Sequence, residues 1–161
     1  MRAEIPSPIE FRPMERPIRG QVRNVTGNGR SPRVCSQAMK ILVVEDDDAI
    51  RSVIAEVLEE RGFWVERAAN GAEALELIEV RCPDVVVLDL LMPVMHGWAF
   101  MEEYARRTHG QQIPIVVVSV NPLLPRSFDR FGVLRCIGKP FDVDELTQTV
   151  EEACGSPLAA V

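Results

Sequence analysis

Four apolar runs in this chain lead directly into residues able to do chemistry. "ILVVEDD" leads into Glu45 and Asp46, "DVVVLD" ends on Asp89, "IVVVS" ends on Ser119, and "VLRCIGK" leads to Lys139. Asp89 is the most demanding of them. An unpaired carboxylate withdrawn from water is strongly disfavoured, so either the end of its run lies at solvent or partners from elsewhere in the chain meet it. If the run ends converge, three carboxylates at close range repel one another and require a divalent cation, a lysine, or both, and oxygen-only ligation favours Mg²⁺. Asp89 would then be a strand-end acid kept ionised by neighbouring cations and available as a nucleophile.

Such convergence is a property of the elements that carry these residues. From Met39 onward, short continuous apolar runs ("ILVV", "FWVE", "DVVVL", "IPIVVV", "VLRCI") alternate with helical periods, which is the pattern of a parallel sheet built from strand–helix units. The first helix presents Ile50, Val53, Ile54, Val57 and Leu58 on one face, begins at Asp47 or Asp48 and stops at Gly62. A second starts at Asn70 with Glu73 in the capping position and buries Ala74, Leu75 and Ile78; a third runs from about Gly97 through Phe100, Met101 and Tyr104. The last begins at Asp142 and presents Val143, Leu146, Val150 and Ala153. Five parallel strands with their helices in about 120 residues fit a flavodoxin-like doubly wound sheet of order 2-1-3-4-5, whose sites form at the carboxyl ends of the strands.

The chain has 161 residues, of which 47% are hydrophobic and 26% charged, sufficient for one domain with a proper core. Residues 1–38 carry seven Arg against three Glu, a net of +4; the whole chain carries −6, which leaves −10 on residues 39–161. The acidic part disfavours direct nucleic-acid binding and suits a domain that gathers carboxylates round a cation or meets a basic partner. Residues 1–38 are rich in Pro and Arg without an apolar period and read as a disordered tail. An equally simple reading takes Met39 as the true start. Residues 39–154 form the domain, and 155–161 a short C-terminal tail. The absence of a long apolar span and of a secretion signal places the protein in the cytoplasm, away from the membrane. Cys35, Cys82, Cys136 and Cys154 are scattered and read as unbridged thiols.

Taken in order, "ILVVEDDDAIR", "VVVLDLLMPVMHG", "IVVVSV" and "GKPF" resemble the acidic-pair, phosphoacceptor, hydroxyl and lysine segments of response regulator receiver domains of two-component signalling. The resemblance covers residues 39 to about 154. It implies that Asp89 accepts a phosphoryl group from a histidine kinase or phosphotransfer protein. It also implies that Glu45, Asp46, Asp89 and the Leu91 carbonyl ligate Mg²⁺, that Ser119 bonds the phosphoryl oxygens and that Lys139 neutralises them. Singly, each residue has an ordinary reading as a helix cap or a solvated turn; four strand ends carrying the required types in the required order outweigh it.

The sequence departs from the family in three places. Pro122 and Pro125 interrupt the segment where a fourth helix belongs, so that helix is irregular. Val120 replaces a small residue after Ser119 and narrows access to Asp89. Cys136 stands where the family has a switch aromatic, three residues before Lys139. His96 reads as an exposed loop residue in a position where the family usually has Asp or Asn, His109 as an ordinary loop residue, and Trp64 and Trp98 as packing residues. The expected function is that of a stand-alone receiver acting through an unknown downstream protein. The chief alternative is a phosphorylation-independent receiver-like interaction module. A haloacid-dehalogenase-type phosphatase would want a second Asp where Leu91 stands, and no Gly-rich phosphate loop follows any strand.

Overall fold

A computed structural model describes residues 38–108, 112–120 and 126–155 of the chain. Within them, five strands, β1 (Lys40–Val44), β2 (Trp64–Ala68), β3 (Val85–Asp89), β4 (Ile115–Ser119) and β5 (Val133–Gly138), form one parallel sheet in the order β2-β1-β3-β4-β5. This is the doubly wound, flavodoxin-like architecture expected. In the three central strands every residue after Lys40 is buried, which explains their unbroken Val, Ile and Leu: both faces of a parallel sheet are covered by helices. The edge strands mix in Glu66, Arg67 and Arg135, charges that discourage pairing with another chain.

Four α-helices flank the sheet: α1 (Asp48–Glu60), α2 (Gly71–Arg81), α3 (Gly97–Thr108) and α4 (Val143–Gly155). The strand alternation divides the core in two. On one face Leu42, Val44, Val86, Leu88 and Val117 pack with Leu75 and Ile78 of α2 and with Phe100, Met101 and Tyr104 of α3. On the other, Ile41, Val43, Val87 and Val118 pack with Ile54 and Leu58 of α1 and with Leu146 and Val150 of α4.

The caps anticipated from sequence are in place. Asp47, not Asp48, caps α1, its Oδ1 accepting from the N–H groups of Ala49 (2.9 Å) and Ile50 (3.0 Å). Asn70 caps α2 in the same way, and Glu73 reaches back to the Ala69 N–H at 2.8 Å, a variant of the capping box shifted by one residue.

Other expectations changed. Val53 lies on the solvent side of the α1 stripe, and Trp64 is 59% exposed, its indole N–H donating to Glu66. Trp64 begins an edge strand, where none of the described elements covers the ring. Between β4 and β5 the chain forms a 3-10 helix (Arg126–Phe131) in place of a regular α-helix, in keeping with the prolines that precede it. α4 ends at Gly155. The tail residues 1–37 and 156–161, His109, Pro122 and Pro125 lie outside the described residues.

Met39 supplies the first backbone link of the sheet, its carbonyl accepting from Trp64 N–H at 2.9 Å, and the Lys40 N–H donates to Asp84 Oδ2 at 2.9 Å. A chain beginning at Met39 retains both. Its urea midpoint should equal that of the full chain, and loss of cooperative unfolding on truncation would assign the preceding residues a packing role.

Candidate functional site

The carboxyl ends of β1, β3, β4 and β5 lie side by side because the strand order makes them neighbours. Asp89 is in register with Val118, and Ser119, one residue further, with Gly138. Lys139 therefore emerges next to Ser119, whose carbonyl accepts the Lys139 backbone N–H at 2.8 Å. The Lys139–Pro140 peptide is cis. From this point the Lys139 ammonium donates to Glu45 Oε2 and to Asp89 Oδ2, both at 2.7 Å. Glu45 and Asp89 are 2% and 5% exposed, whereas Asp46 is exposed.

One carboxylate oxygen from each of Glu45, Asp46 and Asp89 lies within 4.8 Å of the others. Together with Lys139 they make the cluster expected from the strand ends. Asp89 Oδ1 accepts the Leu91 backbone N–H at 3.0 Å, which closes a tight turn after β3 and leaves the Leu91 side chain exposed. Ser119 is buried at the end of β4, beside the cluster in the sheet order, and Val120 after it is largely exposed.

Burial and charge act in opposition on these groups. Burial raises the Glu45 pKa; the Lys139 hydrogen bond opposes that shift, and the Asp89 charge adds to it. Burial also works against the Lys139 ammonium, but its hydrogen bonds to Asp89 and Glu45 outweigh this and raise its pKa. Three carboxylates against one ammonium leave a formal excess of two negative charges. The donor set fits a divalent cation on both counts, since oxygen ligands are the type Mg²⁺ takes and the excess charge is what it would neutralise.

Two residues that hold the site were not singled out from sequence. Arg51, on the first turns of α1, folds back so that its guanidinium donates to the Glu45 carbonyl at 2.6 Å and the Asp46 carbonyl at 3.4 Å, while pairing with Asp48. Gly97 opens α3 against β3. A Cβ there would collide with the carbonyl oxygen of Asp89 and come within 2.9 Å of Leu90 Cα. Helical period marks neither role, because each depends on what the turn beside it does in space. "DAIR" does place Arg51 three residues after Asp48, a spacing that brings side chains together on a helix.

The loop between Asp89 and α3 has features of its own. His96 is exposed, as expected, and caps α3, its Nδ1 accepting from Ala99 N–H at 3.1 Å and its carbonyl from Phe100 N–H at 3.1 Å. Val94 has φ 65° and is 86% exposed, a conformation that β-branched residues rarely adopt. Leu90, Leu91, Met92, His96 and Trp98 line an open groove of about 500 Å³. Trp98 is the packing residue anticipated, edge-on to Phe128 (4.7 Å) and Phe131 (5.8 Å) of the 3-10 helix. Cys136 is half-buried in β5, where desolvation raises its thiol pKa. None of the described cysteines, Cys82, Cys136 and Cys154, forms a disulfide.

Known proteins share both this sheet and this chain's pattern. The family model for the response regulator receiver domain matches residues 41–151. Sporulation initiation phosphotransferase F of Bacillus subtilis is 30% identical over 115 residues, which is 70% of this chain and 91% of that protein. Regulatory protein AtoC of Escherichia coli is 33% identical over 116 residues, 71% of this chain but 25% of that protein, so the chain spans about a quarter of the length of some relatives it matches. Among solved structures, chemotaxis response regulator CheY4 of Vibrio cholerae superposes with a TM-score of 0.64 at 28% identity, covering 72% of this chain and 98% of that one. The receiver domain of the Francisella response regulator 1452 does so with a TM-score of 0.65 at 28% identity, covering 73% and 97%. Strand order, the acidic strand ends and a family match over residues 41–151 all agree: the chain belongs to the response regulator receiver domain family of two-component signalling.

Proposed function

We propose that this receiver is a phosphoacceptor of a phosphorelay, taking a phosphoryl group on Asp89 from a histidine kinase or phosphotransfer protein and signalling by binding a downstream protein. The observation that carries this reading is the placement of Lys139 Nζ at 2.7 Å from both Glu45 and Asp89 at the carboxyl edge of the sheet. Phosphoryl transfer passes through a loose transition state with charge spread over the equatorial oxygens, so catalysis is mostly positioning and charge compensation. Asp89 is the nucleophile: its bond to phosphorus forms as the bond to the donor's leaving atom breaks. Lys139 neutralises the transferred oxygens, and Ser119 hydrogen-bonds to them. Glu45, Asp46, Asp89 and the Leu91 carbonyl would hold Mg²⁺, which when bound supplies further charge compensation at the phosphoryl oxygens. In this reading the chain supplies the groups for its own phosphorylation and dephosphorylation, needs no direct contact with nucleic acid or membrane, and works in the cytoplasm. Among the described residues no helix is long and apolar enough to cross a membrane.

The deciding experiment is intact mass after incubation with a small phosphodonor and Mg²⁺. One phosphoryl group per chain is expected; no uptake would favour a phosphorylation-independent interaction module.

Mg²⁺ should also raise the melting temperature, since only the folded chain assembles the carboxylates. Asp46→Ala should remove that dependence. Equal Mg²⁺ sensitivity in parent and variant would exclude Asp46 as a ligand.

Readout is expected to differ from that of receivers with a switch aromatic. Cys136 buries far less area than Tyr or Phe and transmits correspondingly little. The 3-10 segment, tied to the acceptor loop through Trp98, is the element available to change. A phosphoryl mimic at Asp89 should alter hydrogen exchange between Arg126 and Phe131. Unchanged exchange there, with a response indifferent to Cys136→Tyr, would rule this route out.

A further inference from the structure

The geometry points to Arg51 as a positioning residue for cation binding: its guanidinium brackets the turn that presents Glu45 and Asp46, and so sets the affinity of the acidic site for Mg²⁺. This rests on the reading of that site as a Mg²⁺ site and adds a residue outside the ligand set.

Arg51 occupies an unfavourable place for a cation. It lies on the first turns of α1, where the helix dipole presents its positive end and acidic residues are preferred. Its side chain is nevertheless only 15% exposed. One terminal nitrogen donates to the carbonyls of two consecutive residues, Glu45 at 2.6 Å and Asp46 at 3.4 Å, and the other pairs with Asp48. Both ends of the guanidinium fork are thus used on the four residues from Glu45 to Asp48. The same segment is also held by the Asp47 side chain, which caps α1, and by the Glu45 N–H bond to the Ala68 carbonyl at 3.1 Å. With both carbonyls fixed, the peptide planes that direct the Glu45 and Asp46 side chains lose their freedom before a cation arrives.

Two effects of Arg51 on a bound dication have opposite sign. Its charge repels the cation, so simple Coulomb reasoning makes its removal tighten binding. Its hydrogen bonds preorganise two ligands, so their loss weakens binding, and outer groups that orient ligands are typically worth about ten- to a hundredfold in metal affinity. Preorganisation dominates here because the guanidinium charge is already offset by Asp48 and engaged by two carbonyl dipoles.

The test is calorimetric titration of the full-length chain with Mg²⁺ alone, alongside thermal unfolding in EDTA. Arg51→Met should weaken Mg²⁺ binding by about tenfold. An unchanged or tighter dissociation constant would overturn the proposal. Should Arg51→Met fail to unfold cooperatively in EDTA, Arg51→Lys decides: it keeps the charge but cannot supply the planar fork. It should bind Mg²⁺ more weakly than the parent, and parent-level affinity would overturn the bracket. The underlying site reading fails separately, if the parent shows no Mg²⁺ binding or if Asp46→Ala binds as well as the parent.

Discussion

Asp89→Asn should take up no phosphoryl group while keeping the fold. The amide has nearly the shape of the carboxylate, and its oxygen can still accept the Leu91 N–H that Asp89 Oδ1 accepts at 3.0 Å. Lys139 keeps Glu45 as a partner at 2.7 Å. An uncharged amide is not a nucleophile toward phosphorus, so the expected loss is total rather than fractional. The substitution also removes a negative charge that raises the Glu45 pKa, so relieved repulsion offsets the lost Lys139 interaction, and the melting temperature in EDTA should stay close to that of the parent. Intact mass and thermal unfolding on the same samples test both halves. Stoichiometric labelling of the variant would place the acceptor elsewhere.

Gly97→Ala is expected to have the largest effect on stability of the glycine-to-alanine changes in the described helices. The new Cβ would meet the Asp89 carbonyl oxygen and Leu90 Cα. Both are backbone atoms, so no rotamer change relieves the clash, and the start of α3 must move away from β3. Gly97 N–H also donates to the Leu90 carbonyl at 3.1 Å, a bond that such a shift stretches. Overpacking of this kind costs about 3 kcal/mol. Because the clash falls on the peptide of Asp89 itself, the rate of phosphorylation should drop as well as the urea midpoint. Gly155→Ala is the matched control: none of the described residues lies within 4 Å of a Cβ there, and exchanging Gly for Ala at a helix end is neutral or slightly stabilising. A Gly97→Ala midpoint equal to that of the Gly155→Ala variant would show that α3 and β3 do not approach this closely.

By itself, the sequence determined whatever depends on neighbours along the chain. The unbroken Val runs of β3 and β4 announce strands covered on both faces, and Asn70 with Glu73 marks the start of α2, because the apolar run that burial demands and the capping residues are each written within a few positions. With parallel strands and short crossovers, handedness then limits the topology enough to bring Glu45, Asp46, Asp89, Ser119 and Lys139 to one edge. Only the tertiary structure decided how those groups meet. Lys139 bridges Glu45 and Asp89 across 94 and 50 residues of sequence, and Arg51 turns back over its own helix start rather than outward to solvent. Trp98 packs and Trp64 does not because the 3-10 helix covers one ring, while the other sits on an edge strand. Each of these outcomes turns on which element lies across from a side chain, and that is a matter of packing between segments distant in sequence, to which the local period is blind.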